Sequence, residues 1–171
     1  MMMLLRLIGC AQLKTTQSTG LIFFSGLGSE KDFLAVELYS GHLRYVFDVG
    51  SGTRLIEDRL PGSVNDNRWH EVTLLRPSIN QHLLRVDTVV SSDSLPDSRS
   101  VHYDLPDDDL YVGGLPLRFF SRLPRQVKSL QGFQGCLASI DLDGVKWTLT
   151  ESRLEVPEEH RNRVLDGCPG Q

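Results

Sequence analysis

Turn-forming residues recur along this chain at short, regular intervals, and that spacing restricts its fold more than any other feature. Gly20, Gly26-Leu27-Gly28, Ser40-Gly41, Gly50-Ser51-Gly52, Pro61-Gly62, Asn65-Asp66-Asn67, Pro77, Pro96-Asp97, Gly113-Gly114 and Asp143-Gly144 divide it into runs. The runs hold about five to eight residues and alternate apolar with polar, the period of a strand with one buried face. Only Glu151–Arg163 offers a turn or two of helical periodicity. The pattern predicts an all-β, antiparallel sandwich or barrel.

Composition agrees with one folded domain. The 171 residues are 40% hydrophobic and 23% charged, so the chain is neither disordered nor fibrous. At this length roughly 70% of the extended-chain surface can be buried, enough for a core. Lys and Arg total 18 against 22 Asp and Glu, a net charge of −4, which argues against general attraction to nucleic acid. No apolar run approaches the ~20 residues that cross a bilayer.

One hairpin can be laid out residue by residue. Phe33–Tyr39 and His42–Val49 flank Ser40-Gly41, a two-residue loop suited to a primed turn because Gly tolerates positive φ. Tyr39 then faces His42, and the same register carries Asp32 opposite Val49 at the open end. An acidic side chain and a main-chain carbonyl are thereby expected together at the rim of a sheet, unless a bulge shifts the pairing by one residue. Further along, Trp69–Leu75 is expected to pair with Leu83–Asp87. Leu110-Tyr111-Val112 stops at Gly113-Gly114, and Phe133–Leu142 sets Cys136, Ala138, Ile140 and Leu142 on one face. Trp69 and Trp147 are read as packing residues.

Enzyme signatures are absent. The chain has no GxSxG, GxGxxG, GxxxxGK[ST] or HExxH motif, and its five histidines show no metal-ligand spacing. The three cysteines, Cys10, Cys136 and Cys168, include no CxxC pair, which excludes zinc ribbons and thioredoxin-like sites. One disulfide with a leftover thiol suits an extracellular chain and three buried thiols suit a cytosolic one; the count leaves both open. The chain has no Asn-x-Ser/Thr sequon, so N-glycosylation is not expected. Its first residues, MMMLLRLIG, are apolar but short and carry only Arg6, which falls short of a secretory signal.

Several blocks, taken in order, resemble a laminin G-like domain, most closely those of neurexins. They are Thr19–Gly26, Asp32–Leu38, Phe47–Gly52, Asn65–Val72, Leu110–Pro116 and Phe133–Leu137, within a similarity that runs from about Lys14 to Cys168. The resemblance implies a two-sheet antiparallel jelly-roll sandwich of the laminin G-like, concanavalin-like kind, with the domain at 14–168 and a tail at 169–171. The family's lead-in strand is replaced at 1–13 by a segment without a counterpart. That favours a truncated or mis-started reading frame over a weak signal, and a sheet lacking its first strand.

The resemblance also implies a site and a role. Family members bind calcium at the rim through an Asp side chain, here Asp32, and the carbonyl of the Val49-type residue. The loop before the Tyr-Val-Gly-Gly strand adds the Tyr103 carbonyl, with Asp104 or Asp107 as side-chain contributors. Cys136 and Cys168 match the family's C-terminal disulfide, leaving Cys10 without a partner. Arg118, Arg122, Arg125 and Lys128 form a basic loop that would suit a heparan sulfate-type glycan. The implied protein is an extracellular, non-enzymatic adhesion module that recognises a cell-surface or matrix protein through calcium-bearing rim loops, with no nucleic-acid partner and no insertion into the membrane. A glycosaminoglycan-binding module and a structural spacer are the alternatives.

Overall fold

Ser40 and Gly41 both adopt positive φ, 54° and 83°, as a two-residue primed turn requires. Gly41 is needed twice over, because a Cβ there would come within 2.8 Å of the Ser63 Cβ. The turn joins β3 (Phe33–Tyr39) to β4 (His42–Asp48), and the ladder runs without a slip from Tyr39↔His42 to Phe33↔Asp48. The register expected from the turn is the register found.

The computed structural model describes residues 6–27, 32–78, 80–95, 110–142 and 145–147. The remaining strands are β1 (Arg6–Lys14), β2 (Gly20–Ser25), β5 (Arg54–Glu57), β6 (His70–Ser78), β7 (Gln81–Val86), β8 (Val89–Ser94), β9 (Tyr111–Val112), β10 (Cys136–Leu142) and β11 (Val145–Trp147). They form two antiparallel sheets, ordered β11-β10-β1-β6-β7-β8 and β5-β4-β3-β2-β9. A short 3-10 helix, Leu117–Arg122, follows β9. The expected turn or two at Glu151–Arg163 lies outside the described residues.

The main core fills the space between the sheets. Leu34, Val36 and Leu38 of β3 meet Leu43, Tyr45 and Phe47 of β4 there, against Val72, Leu84 and Val86 of the facing sheet. Full burial of such side chains is worth roughly 1.5–3 kcal/mol each. The five-stranded sheet is also covered on its outer face, where Leu115, Phe120 and Val127 pack over Phe24, Phe33, Ala35 and Val46. The one-sided alternation expected of the strands therefore fails in β3 and β4, which are buried on both faces and are nearly continuous apolar runs.

That outer cover is fastened by a carboxylate. Glu37 has a fully buried side chain, paired with Arg44 at 2.9 Å, and it accepts hydrogen bonds from the main-chain N–H groups of Lys128 at 2.9 Å and Ser129 at 2.7 Å. The Ser129 hydroxyl donates to the Leu38 carbonyl at 2.8 Å. The basic loop is thus anchored to the sheet beneath it.

Two expectations are corrected by the other sheet. Residues 1–13 were expected outside the domain, leaving the sheet without a first strand; instead β1, which begins at Arg6, lies inside the sheet, paired to β6 and to β10. Ala11 and Leu13 turn into the core, while Cys10, Gln12 and Lys14 stay at least partly accessible. In β10 the expected apolar face of Cys136, Ala138, Ile140 and Leu142 is broken by a bulge. The pairing shifts between Cys10↔Asp141 and Gln12↔Ala138, and Ser139 takes φ 52°. The extra residue reverses the face, so Leu137 packs on the core before the bulge and Ile140 after it. Trp69, read as a packing residue, is 37% exposed.

Candidate cation-binding rim

At the open end of the β3–β4 hairpin, Asp32 is the residue before β3 and Val49 the residue after β4. Each stands one residue beyond Phe33↔Asp48, the last pair of the ladder. The Asp32 carboxylate reaches toward the turn that follows Val49, since a Cβ on Gly50 would stand 3.9 Å from Asp32 Oδ1. Asp32 is half-buried, and the Val49 side chain is buried in the main core, which leaves only main-chain atoms of Val49 to serve an ion. Both groups are oxygen donors, the chemistry a hard divalent cation prefers.

The neighbouring carboxylate has a different task. Asp48 Oδ1 accepts the Gly50 N–H at 2.9 Å and its Oδ2 accepts the Thr53 hydroxyl at 3.4 Å, closing the Gly50-Ser51-Gly52 turn on itself. Behind the rim, Gly26 takes φ 108° and lies against the Asp32 carbonyl and the Phe33 backbone, so that any side chain there would strike both. Gly26 therefore fixes the lead-in to Asp32.

The other expected ligands, Tyr103, Asp104 and Asp107, lie outside the described residues. Among the described residues no group of three or more His, Cys, Asp or Glu side chains is arranged to hold a metal.

A profile of the Laminin G domain family matches residues 13–145. The chain belongs to the laminin G domain family. This laminin G domain is 40% identical to Neurexin 1 of Drosophila melanogaster over 157 residues, 92% of the chain and 8% of that protein. It is 43% identical to Neurexin-2 of Mus musculus over 160 residues, 93% of the chain and 9% of that protein. The chain therefore spans less than a tenth of the length of these neurexins. In shape it matches domains LG4-5 of the mouse laminin alpha1 chain with TM-score 0.69 at 25% identity, covering 82% of this chain and 36% of that one. The LG1-3 region of the laminin alpha2 chain gives 0.68 at 26%, covering 84% and 28%. These solved folds agree with the sandwich described above. Laminin G domains are extracellular adhesion and recognition modules rather than enzymes. Among the described residues no helix is long and apolar enough to cross a membrane.

The basic residues of this laminin G domain do not form one patch of equal members. Arg118, Arg122, Arg125 and Lys128 are all exposed, yet the segment that carries them is structural, since Phe120 and Val127 are buried and the Lys128 N–H serves Glu37. Arg118 and Arg122 share the Phe119 ring, at 4.5 and 5.5 Å from its centre. Cys136 opens β10 opposite Lys14, and Cys168 lies outside the described residues. Cys10 is a free thiol on β1, its pKa raised by burial and then by Asp141 and Glu71.

Two histidines matter more than their spacing suggested. His82 is 1% exposed, stacks 4.1 Å from Phe47, and shares a 3.1 Å hydrogen bond between Nδ1 and the Tyr45 hydroxyl. Burial, and then the positive charge of Arg76, push its pKa down to about 4. His70 sits between Asp87, 2.8 Å from Nδ1, and Asp66, 2.9 Å from Nε2. Its burial disfavours the charged ring, but the two carboxylates outweigh that and hold its pKa above the ordinary value. The sequence placed His82 in the Arg76–His82 connection ahead of a strand expected at Leu83–Asp87; the strand instead begins at Gln81, which turns His82 inward.

Proposed function

We propose that this laminin G domain is a non-catalytic extracellular recognition module that binds a cell-surface or matrix protein through rim loops carrying calcium. One observation carries the reading: the unbroken β3–β4 register leads to Asp32 and Val49, with the Asp32 carboxylate turned toward Gly50. Asp32 would give a side-chain oxygen and Val49 its carbonyl, while the 103–107 loop would contribute Tyr103, Asp104 or Asp107. A bound calcium ion supplies positive charge that neutralises the acidic rim and accepts oxygens from a partner. Calcium takes ~6–8 oxygens, so a shell completed by water or by the partner predicts weak affinity, with Kd on the order of 10⁻⁴–10⁻³ M.

Calorimetric titration with calcium tests the reading on the protein and on Asp32→Ala. Saturable heat from the first and none from the second is expected; equal heats from both would remove the site. The extracellular placement carries its own check. Non-reducing digestion and mass spectrometry of secreted protein should recover a Cys136–Cys168 crosslink, closing a loop of roughly thirty residues worth about 3–4 kcal/mol. Recovery of both as alkylated thiols would place the chain elsewhere.

A further inference from the structure

His70 has a carboxylate at each of its ring nitrogens. Nδ1 lies 2.8 Å from Asp87 Oδ2 and Nε2 lies 2.9 Å from Asp66 Oδ1, on a residue only 9% exposed. An ionised carboxylate accepts but cannot donate, and a neutral imidazole has a single N–H to give. Both bonds are therefore made together only by the charged ring.

The two carboxylates are not equally anchored. Asp87, in the β7–β8 turn, is tied to β6 twice more: its Oδ1 accepts the Glu71 N–H at 2.9 Å, and its own N–H donates to the Glu71 carbonyl at 2.8 Å. A further bond of Asp66, from the Arg68 N–H at 3.0 Å, stays within its own turn. When the ring gives a proton to solvent, Nδ1–H thus stays with Asp87, and bare Nε2 meets Asp66 lone pair against lone pair. The other charges nearby among the described residues leave this order in place. Asp66 is kept ionised by His70 first and then by Arg68, Glu71 is taken up by Arg85 at 2.6 Å, and β1 sets the apolar Leu13 opposite His70.

Asp66 and His70 stand four residues apart and close the turn between them, in which Asn67 takes φ 63°, Arg68 is exposed and Trp69 is 37% exposed. A left-handed Asn is tolerated rather than preferred, so the turn has other shapes to take once the closure goes. It lies at the Ser40-Gly41 end of the β3–β4 hairpin, away from Asp32, because the Val64 N–H just ahead of it donates to the Gly41 carbonyl at 2.8 Å. We propose that Asp66, His70 and Asp87 form a proton-gated clip, which fixes the turn carrying Arg68 and Trp69 while the ring is charged and frees it when the ring is neutral. Burial disfavours the charge but the carboxylates outweigh it, so the clip stays closed below pH 6.5 and opens as pH climbs through the ring's own, higher value. The inference goes beyond the calcium reading and does not rest on it, since it uses neither Asp32 nor Val49.

The test is NMR of the full ¹⁵N-labelled chain in EDTA, with dynamics measured about two pH units below and above the ring's own midpoint. That midpoint is expected above 6.5, and the neutral ring is expected to keep its proton on Nδ1. Across the same step the backbone order parameters of Arg68 and Trp69 should fall from about 0.85 to below about 0.6, while Val72 stays rigid. Asp66→Asn separates gating from mere packing, because a side-chain amide can accept from Nε2–H or donate to bare Nε2. In that variant the ring still titrates, but Arg68 and Trp69 should stay ordered on both sides of the midpoint. The proposal is overturned if the midpoint is 6.5 or lower, if the neutral ring keeps its proton on Nε2, if the two order parameters do not fall, or if Arg68 and Trp69 of Asp66→Asn are loose above the midpoint. Because EDTA removes calcium, failure here leaves the Asp32 reading standing, and the calorimetric failure leaves this one.

Discussion

Glu37 and Arg44 face each other across the β3–β4 ladder with 2.9 Å between Oε1 and Nη1, on the sheet face covered by residues 126–129. The arginine also lies over Tyr39, 5.4 Å from the ring centre, and donates to the Gln126 carbonyl at 3.5 Å. A single buried acid thus neutralises a cation and terminates two main-chain N–H groups.

Removing that acid should be costly. Glu37→Ala leaves Arg44 with only the longer, 3.8 Å contact to the half-exposed Glu57 and leaves the Lys128 and Ser129 amides unpaired, so a loss of about 3–5 kcal/mol is expected in urea unfolding. Hydrogen exchange at those two amides should accelerate as well. A loss under about 1 kcal/mol, the scale of an exposed pair, would show that the cover holds without the carboxylate.

Acid should weaken the core through His82. Its folded pKa, about 4, lies below the ordinary 6.5, so the unfolded chain binds more protons between those values. The stabilising contribution is complete above pH 6.5 and falls away toward pH 4, amounting to about 3 kcal/mol across the window. His82→Gln should flatten that limb when urea midpoints are compared at pH 7 and 4.5; a slope unchanged by the substitution would assign the acid sensitivity elsewhere.

His70 should act in the opposite sense. With a folded pKa raised by Asp87 and Asp66, it stabilises the fold fully below pH 6.5 and less as pH climbs through its own, higher value. Proton NMR of the ring should therefore place its midpoint above 6.5, and Asp87→Asn should bring it down. With His82 acting on the acid side, the contributions of the two rings cross near the ordinary histidine value.

At Gly26, a Cβ would strike the Asp32 carbonyl and come within 2.8 Å of the Phe33 Cα, at φ 108°. Gly26→Ala should therefore cost at least the roughly 1–3 kcal/mol of a strained backbone conformation. In a domain of this size each kcal/mol lowers Tm by about 2–4 °C, which scanning calorimetry resolves. An unchanged Tm would mean that the chain ahead of Asp32 moves freely.

What could be read from the sequence was whatever local rules decide. Ser40-Gly41 dictates a turn, the turn dictates a register, and so the pairing from Tyr39↔His42 to Phe33↔Asp48 was legible before any coordinates. β1 was missed because MMMLLRLIG looks like a leader fragment, although Cys10-Ala11-Gln12-Leu13-Lys14 alternates as a strand should. The bulge at Ser139 was invisible, because its positive φ falls on a residue that does not require it. The outer cover is formed by Leu115, Phe120 and Val127, spaced by no regular period. Only the two-sided apolarity of β3 and β4, with Glu37 set among hydrophobic residues, signalled that something must lie over them.

The place of β1 has a kinetic consequence. An inner strand must be matched along both edges, and here the two matches, Leu13 with His70 and Lys14 with Cys136, draw on widely separated stretches of chain. Closing loops that long costs entropy before any rung repays it, which sets such topologies toward the millisecond-to-second end of folding rates. The β3–β4 hairpin should thus be assembled while β6 and β10 still wait with open edges, and sticking to other chains competes with folding for as long as that gap stays unfilled.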